Sequence, residues 1–128
     1  MMNKTILIAD DEPNIVISLE YLLKRDGYHV LVARDGQEAL DTMQLMTPDL
    51  VLLDVMLPRV SGFHVCQKIR ENPAWSQVRV IMLTAKGRDV EMSKGMALGA
   101  DIYVTKPFST KELLAQIRAQ LGSGEEGT

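Results

Sequence analysis

The chain has 128 residues, 46% of them hydrophobic and 24% charged, with a formal net charge of −3 and a single cysteine, Cys66. That is the size and balance of one globular domain with one core. The mild negative charge gives no electrostatic case for nucleic-acid binding, the lone cysteine excludes an internal disulfide and fits a reducing cytoplasm, and no apolar run approaches the roughly 20 residues of a membrane span.

Met1 to Lys4 lacks a signal-peptide layout. Lys4 to Ala9 (KTILIA) predicts a first strand that ends in Asp10-Asp11-Glu12-Pro13. Adjacent carboxylates repel one another and ask for a cation, and Pro13 suits the first turn of a helix, where its missing N–H costs nothing. Ile15, Leu19, Leu22 and Leu23 follow at helical spacing, until Asp26-Gly27 stops the helix. Tyr28 to Ala33 predicts the second strand, and Arg34-Asp35-Gly36 a turn. Ala39, Leu40, Met43 and Met46 mark a second amphipathic helix ending before Pro48.

Asp49 to Asp54 (DLVLLD) has four apolar residues without alternation, the pattern of a strand buried on both faces of a parallel sheet. Val55 to Gly62 reads as a loop punctuated by Pro and Gly. Phe63, Cys66 and Ile69 mark a third helix closed by Asn72-Pro73, with Trp75 in the connection and Cys66 as a small buried hydrophobe. Val78 to Leu83 is the fourth strand, ending in Thr84-Ala85-Lys86-Gly87. The fourth helix, about Arg88 to Leu98, has the weakest apolar pattern and contains Gly95, which costs about 1 kcal/mol against alanine, so it is expected to be the least rigid. Asp101 to Val104 is the fifth strand, followed by Thr105-Lys106-Pro107-Phe108. Ser109 and Glu112 form a capping box for a last helix with Leu113, Leu114, Ile117 and Leu121 on its core face. Residues 1–121 make one domain, and Gly122 to Thr128 a disordered tail or linker stub.

Strands alternating with helices through short connections predict an α/β fold: a parallel sheet with helices on both faces and right-handed crossovers. Ligands of such sheets bind at the carboxyl edge of the strands. Asp10, Asp11, Asp54, Thr84 and Lys106 all fall at strand ends and gather at that edge. Like-charged carboxylates are tolerable around a hard cation, and oxygen ligands suit Mg²⁺. One carboxylate can then attack phosphorus, with the metal and an ammonium neutralising the phosphoryl oxygens, while the hydroxyl of Thr84 donates to one of them.

In Ile8-Ala9-Asp10-Asp11-Glu12, in Asp54 with Met56-Leu57-Pro58 and Ser61-Gly62, in Leu83-Thr84-Ala85 and in Tyr103-Val104-Thr105-Lys106-Pro107-Phe108, the chain resembles the response-regulator receiver domains of two-component signalling, and is similar to the chemotaxis receiver proteins. The resemblance runs from Lys4 to about Leu121. It implies a doubly wound, flavodoxin-like three-layer fold with strand order 2-1-3-4-5. Asp54 would accept a phosphoryl group from a histidine kinase or histidine phosphotransferase, as a stoichiometric acceptor rather than a turnover enzyme. Asp11 and Asp54 would hold Mg²⁺ through side-chain oxygens, Met56 through its carbonyl and Asp10 mainly through water. Lys106, followed by a cis bond to Pro107, would contact the phosphoryl group. Thr84 and Tyr103 would move inward, remodelling the surface of helix four, strand five and helix five, which could meet a downstream protein, a fused effector domain or a second copy.

The resemblance also makes Met56 and Lys86 the residues that tune loss of the phosphoryl group to water, and Met56 offers no polar atom for that. Receivers of the winged-helix transcription-factor class often carry two acids before the tyrosine and an arginine in helix five. Here Asp101 is followed by Ile102, and Gln116 stands at the helical place, which weakens that dimer. A dehalogenase-like hydrolase would want a second aspartate where Met56 stands. A flavodoxin would want phosphate-binding backbone donors where Asp10-Asp11-Glu12 would repel the phosphate. A binding module that is never phosphorylated would not need the full acid, hydroxyl and ammonium set. His29 and His64 have no evident partner set.

Overall fold

The structure, a computed structural model, describes residues 3–85 and 89–122. The strands are β1 (Thr5–Ala9), β2 (His29–Ala33), β3 (Leu50–Asp54), β4 (Arg79–Ala85) and β5 (Ile102–Lys106). The helices are α1 (Pro13–Arg25), α2 (Gly36–Leu45), α3 (Gly62–Glu71), α4 (Asp89–Ala97) and α5 (Thr110–Leu121), with a 3₁₀ turn at Pro73–Trp75. All strand pairs are parallel, in the order β2-β1-β3-β4-β5.

Every residue of β3 is buried, as expected of a strand covered on both faces. Asp49 fixes its start against β1: its carboxylate and its N–H clasp the N–H and carbonyl of Thr5 at 2.7 and 2.8 Å. Alternation along the strands divides the core in two. Leu7, Val51, Leu53, Val80 and Met82 pack with Ala39 and Met43 of α2 and Val65, Cys66 and Ile69 of α3. Ile6, Ile8, Leu50, Leu52, Ile81 and Leu83 pack with Val16, Leu19 and Leu23 of α1 and Leu113 and Ile117 of α5.

Local chemistry sets the helix ends. Asp35 caps α2 by accepting from the N–H of Glu38, and Ser61 and Ser109 cap α3 and α5 in the same way. Met46, expected on the core face of α2, is the extended C-cap residue and 48% exposed, because the helix stops one residue before the methionine can turn inward. Trp75 is buried beside α3. Cys66 is fully buried, and burial pushes its thiol up to about 11, so it is an unreactive thiol at neutral pH. His29 and His64 are exposed.

β4 and β5 run further than their apolar residues. Thr84 pairs with Thr105 and Ala85 with Lys106, so Thr84 and Lys106 lie within strands rather than just past them. The ladder is made by backbone groups, and a polar side chain does not interrupt it while a neighbouring strand accepts and donates. Lys86 and the residues after Gly122 fall outside the described residues. No helix among the described residues is long and apolar enough to cross a membrane.

Candidate functional site

The carboxyl edge of the sheet assembles the site from two opposite rows of side chains. Asp10 continues the inward row of Ile6 and Ile8, Asp54 that of Leu50 and Leu52, and Lys106 that of Ile102 and Val104, all on the α1/α5 side. Thr84 and Tyr103 follow Val80 and Met82 onto the side covered by α2 and α3.

Asp10 is fully buried, Asp54 is 5% exposed and Thr84 1% exposed. The ammonium of Lys106 lies among the acids, with Nζ 3.1 Å from Asp10 Oδ2, 2.7 Å from Glu12 Oε1 and 3.5 Å from Asp54 Oδ2. The other oxygen of Asp10 accepts from the N–H of Glu12 at 2.9 Å, and Asp54 Oδ1 accepts from the N–H of Met56 at 3.2 Å. Glu12 is the N-cap residue of α1 and makes no side-chain cap bond; its carboxylate reaches Lys106 instead.

Burial pushes the carboxyl of Asp54 above its ordinary 3.8, and the charge of Asp10 adds to this. Lys106 and the N–H of Met56 pull it back without cancelling the rise, and Asp11 adds a smaller push upward. Burial alone would pull Lys106 down. The hydrogen bond to Glu12 and the charges of Asp54 and Asp10 outweigh it, and the ammonium is held above its usual range.

Behind Asp54 the backbone is packed against the start of α3. A Cβ at Gly62 would run into the carbonyl oxygen of Asp54, so only glycine lets α3 begin there, with the N–H of Gly62 donating to Val55 O at 3.0 Å. The bond from Lys106 to Pro107 is cis.

Of the residues expected at the site, Asp10, Asp54 and Lys106 meet directly. Thr84 lies beside them on the strand that pairs with β3, where Asp54 is opposite Leu83. Among the described residues, the carboxylate oxygens of Asp10, Glu12 and Asp54 lie within 4.8 Å of one another, close enough to share a metal ion. Asp11 is exposed and is not one of that trio. Glu12 was not anticipated. Its signal was its place in the acidic run directly before Pro13, where a helix begins. The side chain of Met56 is 64% exposed, so what it offers the site is backbone. Arg70 was also missed: its guanidinium donates to Gly99 O at 2.8 Å, Val78 O at 2.7 Å and Asp101 Oδ2 at 2.7 Å, tying the end of α3 to the start of β4 and to the connection between α4 and β5. In sequence it is only a basic residue in a helix's last turn.

Comparison with known proteins points to one family. The profile of the response regulator receiver domain matches residues 6–118. The alkaline phosphatase synthesis transcriptional regulatory protein PhoP of Bacillus subtilis is 46% identical over 124 residues, which are 97% of this chain and 51% of that protein. The chain thus spans about half the length of this curated relative. A response regulator structure from Chloroflexus aurantiacus is 34% identical with a TM-score of 0.90, covering 94% of this chain and 99% of that one. The receiver domain of a sensor histidine kinase from Pseudomonas aeruginosa, described with a magnesium ion coordinated in its active-site cleft, is 27% identical with a TM-score of 0.86, covering 94% and 99%. A profile match over most of the sequence and a shared fold at this level of identity make descent plain, and the chain belongs to the response-regulator receiver domain family of two-component signalling.

Proposed function

We propose that Asp54 is the phosphoryl acceptor of this receiver, charged by a histidine kinase or a histidine phosphotransferase. The observation that carries the reading is the position of Asp54: buried at the end of β3, 3.5 Å from a lysine ammonium and beside a second buried carboxylate. Such crowding of like charge is unfavourable for folding and is kept where chemistry needs it. In the transfer, an Asp54 oxygen attacks the phosphorus of a phosphohistidine. The O–P bond forms as the P–N bond breaks, and the bonding pair stays on the imidazole nitrogen, which then takes a proton. The product is an aspartyl phosphate, one per chain. Lys106, already cationic and close, supplies positive charge to the arriving phosphoryl oxygens, and Thr84 supplies a hydroxyl.

The acids fit a hard dication. Asp10, Glu12 and Asp54 are near enough to one another, and the resemblance adds Asp11 and the carbonyl of Met56 as ligands. Mg²⁺ held by these residues would supply positive charge to the phosphoryl oxygens. The direct test is mass spectrometry after treatment with acetyl phosphate and Mg²⁺. One labile phosphoryl adduct mapping to Asp54 is expected, and an adduct elsewhere, or none, refutes the assignment.

Met56 also sets the lifetime. Its exposed thioether side chain brings no group to orient an attacking water, so loss of the phosphoryl group is slow. Met56→Asn places an amide there and is expected to shorten the half-life of the adduct in Mg²⁺; a longer half-life would contradict this role.

The output surface is α4, β5 and α5, reached through Thr84 and Tyr103. Asp101 is already engaged within the chain, by Arg70 at 2.7 Å, Arg79 at 3.6 Å and the N–H of Val80 at 2.7 Å, while Ile102 is half-buried against the core. Arg118 of α5 pairs with Asp26 at the end of α1 at 2.8 Å. Asp101 and Arg118 are therefore already paired within the chain, and Lys111 and Glu112 remain on α5. Light scattering with Mg²⁺ and beryllofluoride is expected to show a monomer or weakly associating chains, and a tight activated dimer would refute this. The relative from Bacillus subtilis is a transcriptional regulator about twice as long. A downstream partner or a fused effector domain fits that span, with residues 1–121 as the receiver and residues 122–128 as the stub of a connection. With its net charge of −3, this segment does not contact nucleic acid itself. The same reading places it in the cytoplasm, where kinases draw on ATP.

A further inference from the structure

Gly95 stands in the middle of α4, where a glycine weakens a helix by about 1 kcal/mol relative to alanine. It is also the buried position among the described side chains of that helix. The ring of Tyr103 lies directly beneath it. A Cβ at Gly95 would come 2.6 Å from Cε2 of the ring, 3.4 Å from Cδ2 and 3.5 Å from Cζ. The ring packs against the α2/α3 side of the core, and its hydroxyl is shut off from solvent. Tyr103 is therefore inward in this structure, and α4 rests on its ring through the one residue type that leaves room for it.

A side chain at position 95 and the ring where it now lies overlap, so one of them must shift. The clash falls near the outer end of a side chain carried by an edge strand, since β5 is last in the sheet. Swinging the ring out by rotation about its χ angles relieves the overlap without moving backbone. Lifting α4 would instead strip its contact with Tyr103 and draw Leu98, just past its end, away from the core. The geometry points to Gly95 as the positioning residue that admits the Tyr103 ring, and so sets how readily the α4–β5–α5 surface follows events at Asp54. This rests on the switching role given to Tyr103 above. It turns the glycine from a weak point of the helix into the space that the switch occupies.

Gly95→Ala tests it. Alanine suits a helix better than glycine, so α4 should stay formed, which circular dichroism and thermal unfolding check. In metal-free protein with no phosphoryl mimic, aromatic proton shifts and contacts by NMR are expected to show the ring displaced outward. With Mg²⁺, beryllofluoride should bind more weakly, by roughly 5-fold or more. In a Tyr103→Ala background, Gly95→Ala should leave beryllofluoride affinity unchanged, because there is no ring left to displace; a merely structural role for Gly95 would not vanish in this way. A ring that stays inward in Gly95→Ala, or an equal loss of affinity without Tyr103, overturns the inference. Failure of the wild-type chain to bind beryllofluoride strikes instead at Asp54 as acceptor, and the ring measurement, which needs no phosphoryl group, then decides the role of Gly95 separately.

Discussion

Asp54→Asn is expected to do two things at once: abolish the phosphoryl adduct, and make the metal-free protein more stable at neutral pH by about 1–2 kcal/mol. The amide keeps the shape of the side chain and can still accept from the N–H of Met56. Lys106 loses the longest of its three carboxylate contacts and keeps Asp10 and Glu12. What disappears is a buried charge next to Asp10. Burial, reinforced by Asp10, raises the carboxyl of Asp54 above its ordinary 3.8, so the folded chain holds a proton that the unfolded chain gives up. Between 3.8 and the raised value, stability of the wild type falls as pH climbs; above that window the penalty is complete and constant. The advantage of the asparagine variant is therefore full above that window and closes in acid below the ordinary carboxylate value. Urea unfolding in EDTA across that range measures it. A variant less stable than wild type at neutral pH would mean that the ion pair with Lys106 outweighs the burial and repulsion.

Lys106→Met is expected to move stability the other way and metal affinity with it. The ammonium is the cation that Asp10, Glu12 and Asp54 share in this structure, at 3.1, 2.7 and 3.5 Å. Removing one partner from a buried pair leaves charge without compensation, a loss of about 3 kcal/mol at neutral pH in metal-free buffer. The same change removes a positive charge from where a dication would enter, so Mg²⁺ should bind more tightly, by roughly tenfold for about 1.4 kcal/mol of relieved repulsion. Mg²⁺ should then recover much of the lost stability, because a ligand bound to the folded state alone stabilises it. Calorimetric titration and thermal unfolding with and without Mg²⁺ check both halves. Unchanged or weaker Mg²⁺ binding would show that the lysine does not compete for the acidic cleft.

The two variants bear on why the site is assembled as it is. Asp10, Glu12 and Asp54 repel one another, and the ammonium of Lys106 offsets that repulsion in this structure. Its ammonium is held by Glu12 more closely than by Asp54. Because Lys106 follows the same inward row as Asp10 and Asp54, its ammonium reaches both of these acids from the edge strand of the sheet.

Much of this was written in the order of residues. The unalternating run before Asp54 fixed β3 as a strand covered on both faces, because only such a strand can afford four apolar residues in succession. The alternation of apolar runs with helical spacing specified the α/β class, and strand-end polar residues pointed to the carboxyl edge. Element limits were less legible: β4 and β5 continue through Thr84 and Lys106 because backbone pairing, not side-chain polarity, decides where a ladder stops. Gly95 read as a flaw in a helix, since nothing in its neighbours along the chain names a ring eight residues on in another element. Glu12 read as one acid among three; that it turns toward Lys106, while Asp11 stays exposed, follows from where α1 starts relative to β5. Residue types and spacing thus determined the elements and the class, because periodicity and charge are local properties. Which acid meets the lysine, which row faces which helix and which glycine shelters the tyrosine were decided by the packing of segments distant in sequence, and packing is a property of the folded chain alone.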